Sequence, residues 1–153
     1  MHLPSCTVTL TQAVNDELIT QTTTLPQLLA DSEQGLIIYF YPKDNTQGCT
    51  IQAQELSANL SSLNGFRVVG VSRDSLLSHQ KFIQKHALTI ALISDTNEQL
   101  CQHFGVIQPN QLYGKTHLGI VRTTFVFAKD GTLRHTLANV RAKTHLAQLQ
   151  ALL

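Results

Sequence analysis

The stretch of this sequence best arranged for nucleophilic chemistry is residues 39–50, YFYPKDNTQGCT, in which Pro42, Thr46 and Cys49 stand in the pattern P-x-x-x-T-x-x-C. Cysteine attacks as its thiolate, so what surrounds Cys49 decides its reactivity. Residues 35–41 (GLIIYFY) are a near-continuous apolar run, the composition of a strand buried on both faces. Pro42 and the turn formers Asp44 and Asn45 end that strand. Thr46 then falls at a helix N-cap. Its hydroxyl is expected to accept from a backbone N–H about three residues on, which sets Cys49 in the first helical turn. Unpaired N–H groups and the positive end of the helix dipole favour a thiolate there. The plain alternative is that Cys49 is a small buried hydrophobe, as free cysteine commonly is. The polar, glycine-containing loop before it argues against that.

The elements that must position this cysteine follow from periodicity. Residues 7–10 and 18–21 alternate about Asn15-Asp16 and predict an N-terminal hairpin, and residues 24–30, with Pro26 near their start, predict a short helix. Ala53, Leu56, Leu60 and Leu63 recur at helical spacing, predicting a helix over 49–63 that packs one face on a sheet and ends at Asn64-Gly65. Residues 66–71 predict a second buried strand, 76–86 a second helix and 90–93 a third strand. Asp95 is a good N-cap for a helix through His103, closed by Gly105. Residues 120–128 and 132–137 predict a hairpin across Lys129-Asp130-Gly131, and residues 142–152 a C-terminal amphipathic helix. The expected fold is α/β, with a central mixed β-sheet flanked by helices and an N-terminal hairpin, in one domain over residues 1–153. Arg122 falls inside an otherwise apolar strand. It needs a partner there, because a buried unpaired charge is costly, or else it lies on an edge strand and reaches solvent.

Composition narrows the function classes. Lys plus Arg number 11 against 10 Asp plus Glu, so no strong field points to nucleic acid or to an anionic membrane surface. The N-terminus, MHLPSCTVTL, lacks a basic segment followed by a long apolar one, and no run reaches membrane-spanning length, so a soluble cytoplasmic protein is expected. A charged fraction of 14% leaves little repulsion to oppose self-association, and a monomer or a homodimer is expected. Three cysteines, Cys6, Cys49 and Cys101, are too few for a disulfide scaffold and suit a reducing compartment with one reactive thiol. Cys49-Thr50-Ile51-Gln52 is not C-x-x-C, which excludes thioredoxin-type exchange by a local pair. None of the seven histidines stands at metal-ligand spacing, so solvated or packed histidines and no metal are expected.

Three separated blocks resemble peroxiredoxins of the peroxiredoxin Q or bacterioferritin comigratory protein class. They are the Cys49 segment, residues 70–82 (GVSRDSLLS then HQKF), and residues 104–131 with their GKT, GI-x-R and aromatic strand. Together they cover most of the chain from Leu36 to Gly131 in the family's order and spacing. The resemblance implies a thioredoxin-like fold and a thiol peroxidase acting on hydrogen peroxide and organic hydroperoxides through a Cys49 sulfenic acid. It implies no metal, haem or flavin. It places Arg122, in GIVRTTF, where the family has the Arg that holds the thiolate and polarises the peroxide. Thr46 would bond a peroxide oxygen as well as cap the helix, and Pro42 would close one wall over the thiolate.

The sequence departs from the class in recycling. Many members carry a resolving cysteine five residues after the reactive one, where this chain has Gln54; others carry it on the next helix, where Ile83 is the nearest position and no cysteine occurs. That leaves Cys101, which borders a core face, or Cys6 near the terminus, or no resolving cysteine. A one-Cys cycle is the expectation, with thioredoxin, glutaredoxin or a low-molecular-weight thiol as reductant. The rival class is a thioredoxin-like redox sensor that oxidises once and passes oxidation to a partner.

Overall fold

The computed structural model describes residues 1–112 and 115–153, with side chains for all of these except 110–112 and 115–117. Tyr113 and Gly114, and with Gly114 part of the GKT segment singled out above, lie outside the described residues.

The expected N-terminal hairpin is β1 (Thr7–Val14) and β2 (Glu17–Thr24), turned at Asn15 and Asp16 with φ of 52° and 65°. Both residues are of the type that tolerates the left-handed region, as a two-residue hairpin loop demands. Thr24 caps α1 (Leu25–Ala30) by accepting from the Gln27 N–H. The apolar run becomes β3 (Gly35–Phe40), with all six residues buried. Then come α2 (Gln47–Ala58), a 3-10 turn (Leu60–Leu63), β4 (Phe66–Ser72), α3 (Leu76–His86), β5 (Ala91–Ser94) and α4 (Gln99–His103). A ribbon of β6 (Ile107–Leu112) and β7 (Lys115–Ile120) precedes β8 (Thr123–Ala128), β9 (Leu133–Leu137) and α5 (His145–Leu152).

Seven strands join in the order β2-β1-β5-β4-β3-β8-β9, and β6-β7 stand apart. The strands β3, β4 and β5 run parallel, while β1 and β8 pair antiparallel with them, so the sheet is mixed as expected. Side chains alternate across a strand. Leu36, Ile38 and Phe40 therefore enter a core with α1 and α4, and Ile37, Tyr39 and Tyr41 enter a second core with α2, α3 and α5. Helices cover both faces of the sheet, and the thioredoxin-like architecture expected for the chain is the one observed. No helix among the described residues is long and apolar enough to cross a membrane.

Four expectations need correction. The helix over 49–63 is two pieces, because the Asn59 side-chain amide donates to the Glu55 carbonyl (2.8 Å) and ends α2 before the 3-10 turn. The strand over 120–128 breaks: the Val121 N–H bonds the Val106 carbonyl on the ribbon side (2.8 Å), and β8 begins at Thr123 in the central sheet. Arg122 thus sits at the crossover between two sheets, its carbonyl accepting from the Val140 N–H (2.8 Å), and not within a strand. Apolar periodicity cannot register such a change of partner strand. Asp95 is not the N-cap of α4, which starts at Gln99; its carboxylate reaches forward to accept from the N–H groups of Leu100 (3.0 Å) and Cys101 (2.9 Å). The C-terminal helix starts at His145 rather than residue 142, because the Thr144 N–H closes a turn on the Arg141 carbonyl (3.1 Å).

Candidate active site

The loop from Tyr41 to Thr46 is held by a buried polar cluster. The Asp44 carboxylate accepts from the Tyr41 hydroxyl (2.6 Å) and the Ser78 hydroxyl (2.7 Å) and lies 2.7 Å from His79 Nδ1. His79 Nε2 lies 3.1 Å from the Ile93 carbonyl, which can only accept, so Nε2 donates to it. The Asp44 N–H donates to Asp74 (2.9 Å), which also accepts from the Ser72 hydroxyl (2.6 Å). Asp44, Asp74 and His79 bring possible ligand atoms within 4.8 Å of one another, but hydrogen bonds between them and their neighbours already occupy those atoms. The cluster is an anchor that fastens the loop to α3 and β5.

Beyond this anchor, Thr46 takes the extended N-cap conformation (φ −84°, ψ 156°), and its carbonyl receives the Thr50 N–H (2.9 Å). Its hydroxyl does not cap α2. It donates instead to the Lys43 carbonyl (2.8 Å), a local bond that competes with the expected cap. Pro42 and Thr46 are both exposed. Cys49 is the third residue of α2, only 1% exposed, and its Sγ lies 3.4 Å from Arg122 Nη1. The crossover at Val121 and Arg122 thus carries the guanidinium to the start of α2.

Arg122 is aimed by groups that spacing alone did not reveal. Its Nη1 also donates to Gln52 Oε1 (2.6 Å), one helical turn after Cys49 on the same face. Gln52 Nε2 lies 2.9 Å from His145 Nδ1, and His145 Nε2 lies 2.8 Å from the Thr124 hydroxyl. Burial, and then the Arg122 charge, lower the pKa of His145 to about 4, so its ring is neutral at pH 7. On the other side, Gly48 gives the guanidinium room: a Cβ there would stand 3.3 Å from Arg122 Nη2 and 3.7 Å from Ala142 Cβ. Tyr39 lies beneath, its ring 5.5 Å from Tyr41 and 5.7 Å from His145. Burial first, and then the neighbouring Cys49 and Asp44, push the Tyr39 hydroxyl well upward in pKa. An open cleft of about 440 Å³ lies nearby, between Gln47, Gly48 and Ile51 of α2 and residues 141–144; neither Cys49 nor Arg122 lines it.

The other two thiols lie elsewhere. Cys101 is buried in the core shared with α1 and α4, and Cys6 packs on that same core, whereas Cys49 belongs to the core on the opposite face of the sheet. Burial first, and then the Asp95 carboxylate, push both the Cys6 and the Cys101 thiol upward in pKa. Gln54 is exposed and near His86 (3.4 Å), and Ile83 is buried, so no thiol stands at either position usual for the class.

The chain matches the AhpC/TSA family over residues 3–136. It belongs to that family. It is 38% identical to peroxiredoxin Bcp of Xanthomonas campestris pv. campestris over 99% of this chain and 94% of that protein. It is 43% identical to a putative peroxiredoxin of Helicobacter pylori over 72% of this chain and 74% of that protein. The solved structure of the bacterioferritin comigratory protein of Xanthomonas campestris, studied for its alkyl peroxide reduction activity, superposes with a TM-score of 0.83 at 32% identity, over 98% of this chain and 94% of that one. This peroxiredoxin is therefore of the peroxiredoxin Q class and a thiol-dependent peroxidase.

Proposed function

We propose that Cys49 is the peroxidatic cysteine and that its cycle needs no second cysteine of this chain. The observation that carries this is Arg122 Nη1 at 3.4 Å from Cys49 Sγ, with Cys6 and Cys101 packed behind the sheet. The Cys49 thiolate attacks the distal oxygen of a hydroperoxide; the S–O bond forms, the O–O bond breaks, and the other oxygen leaves as alcohol or water after taking a proton. Arg122 holds the thiolate and receives the negative charge that develops on the peroxide oxygens. Thr46, its hydroxyl turning from Lys43, donates to a peroxide oxygen, and Pro42 walls the thiolate from water. An external thiol then condenses with the sulfenic acid and releases water, and a second thiol frees Cys49 as the external disulfide forms.

Substrates in this reading are hydrogen peroxide and small organic hydroperoxides, in keeping with the alkyl peroxide activity studied in the Xanthomonas relative. The reductant is thioredoxin, glutaredoxin or a low-molecular-weight thiol. Such reductants are supplied in the cytoplasm, where the reading places the protein. Steady-state peroxide consumption, with thioredoxin in one series and glutathione plus glutaredoxin in another, tests it. Sustained turnover that is lost in Cys49→Ser is expected. A single oxidation followed by arrest with every reductant would favour a redox sensor.

A further inference from the structure

Arg122 makes no ion pair among the described residues; its guanidinium is held by the amide oxygen of Gln52. An amide side chain is nearly symmetric in shape, and Arg122, which has only donors, is one constraint that turns Oε1 toward it. The far end of Gln52 supplies the second constraint. With Oε1 on Arg122, Nε2 must donate to His145 Nδ1, so Nδ1 carries no hydrogen and the ring proton sits on Nε2, pointed at the Thr124 hydroxyl. Gln52, His145 and Thr124 are all buried, at 1%, 0% and 0% exposure, so water does not substitute for any of these partners.

We propose that His145 is a positioning residue for the peroxidatic site: the Nδ1 lone pair fixes the Gln52 amide with its oxygen toward Arg122 and so holds the guanidinium on Cys49. The inference rests on Arg122 acting at Cys49 as described above. It ties the C-terminal helix α5 to chemistry on α2, two elements distant in sequence. The low pKa of His145 agrees with a ring that accepts at Nδ1 at neutral pH.

Two measurements test it. In wild-type protein, nitrogen-resolved NMR of the histidine rings at pH 7 should show His145 as the neutral Nε2–H tautomer; a hydrogen on Nδ1 would leave no lone pair there for Gln52 and overturn the proposal, whatever the peroxidase activity. In single-turnover reaction with hydrogen peroxide, His145→Leu should slow Cys49 oxidation by roughly tenfold or more, since small misplacements of catalytic groups are costly. His145→Asn, which sets an amide oxygen where Nδ1 was, should recover most of that loss, and His145→Gln, which sets its polar end where Nε2 was, should not. Equal rates in all three variants, at any value, would make His145 a packing residue only. Failure of the wild-type protein to consume peroxide would instead strike at the function assigned to Cys49, and leaves the tautomer result to decide the relay.

Discussion

Cys49 and Cys101 lie on opposite faces of the central sheet, Cys49 in α2 and Cys101 in α4. A disulfide needs Cα atoms about 4.4–6.8 Å apart, and the intervening strand layer prevents that without unfolding. Non-reducing mass spectrometry after one equivalent of peroxide should therefore show a Cys49 sulfenic acid and no intramolecular disulfide. Cys6→Ser and Cys101→Ala should each keep turnover with an external thiol. A stoichiometric Cys49–Cys101 or Cys49–Cys6 bridge would overturn the one-Cys cycle. Without a fast internal disulfide, the sulfenic acid is open to further oxidation, and excess peroxide should inactivate the enzyme.

Arg122 shares Nη1 between Cys49 Sγ and Gln52 Oε1 while Nη2 passes Gly48. Lysine has no planar fork with which to span these sites. Arg122→Lys and Arg122→Ala should both lower the peroxide rate constant by about 100-fold, the order found when one preorganised donor to developing negative charge is removed. Wild-type rates in both variants would remove Arg122 from the mechanism.

Gly48 separates activity from stability. Alanine is the better helix former by about 1 kcal/mol, yet its Cβ would stand 3.3 Å from Arg122 Nη2 and must displace it by a few tenths of an ångström. Gly48→Ala should fold with an unchanged or higher melting temperature and reduce peroxide more slowly. A variant both more stable and fully active would show that the guanidinium tolerates the shift.

The Asp44–His79 contact is fully buried, at 5% and 0% exposure, so removing one partner strands the other. Asp44→Ala also leaves the Tyr41 and Ser78 hydroxyls without their acceptor. The expected loss in denaturant unfolding is about 3 kcal/mol or more, because each buried polar group left without its partner costs roughly 1–3 kcal/mol. A loss under about 1 kcal/mol would place the loop's stability elsewhere.

The strand, loop and helix around Cys49 were legible because each signal is local: an apolar run, then turn residues, then helical spacing. Cys101 was legible as a core residue from its neighbours Leu100 and Phe104. Thr46 was misread as a side-chain cap because a turn carbonyl, that of Lys43, competes for the same hydroxyl. Arg122 was legible as a charge in need of a partner, and its role only through the resemblance; its place between two sheets was not, since periodicity does not show where a chain leaves one sheet for another. Gln52 with His145, 93 positions apart, and Asp44 with His79, 35 apart, have no short-range signature. Only the fold shows which buried polar groups meet, because the sequence names no partner for any of them; the buried Tyr39 hydroxyl finds none among the described residues.

His145 makes the last prediction one of acid stability. Its pKa falls from 6.5 to about 4 in the fold, by burial first and then by the Arg122 charge, while the unfolded chain titrates near 6.5. Between those values the unfolded state binds the additional proton, so stability falls as the pH is lowered. The contribution is fully present above pH 6.5 and is lost as the pH falls through about 4, a change on the order of 3 kcal/mol for a shift from 6.5 to about 4. Protonation of the folded protein also removes the Nδ1 lone pair that Gln52 uses, so its peroxide reactivity should decline as the pH approaches about 4. The measurement is denaturant unfolding at pH 7, 5.5 and 4.5, for wild type and for His145→Asn, which cannot titrate. The wild type should lose more stability than the variant over that interval. Parallel losses would show that the fold does not depress the His145 pKa.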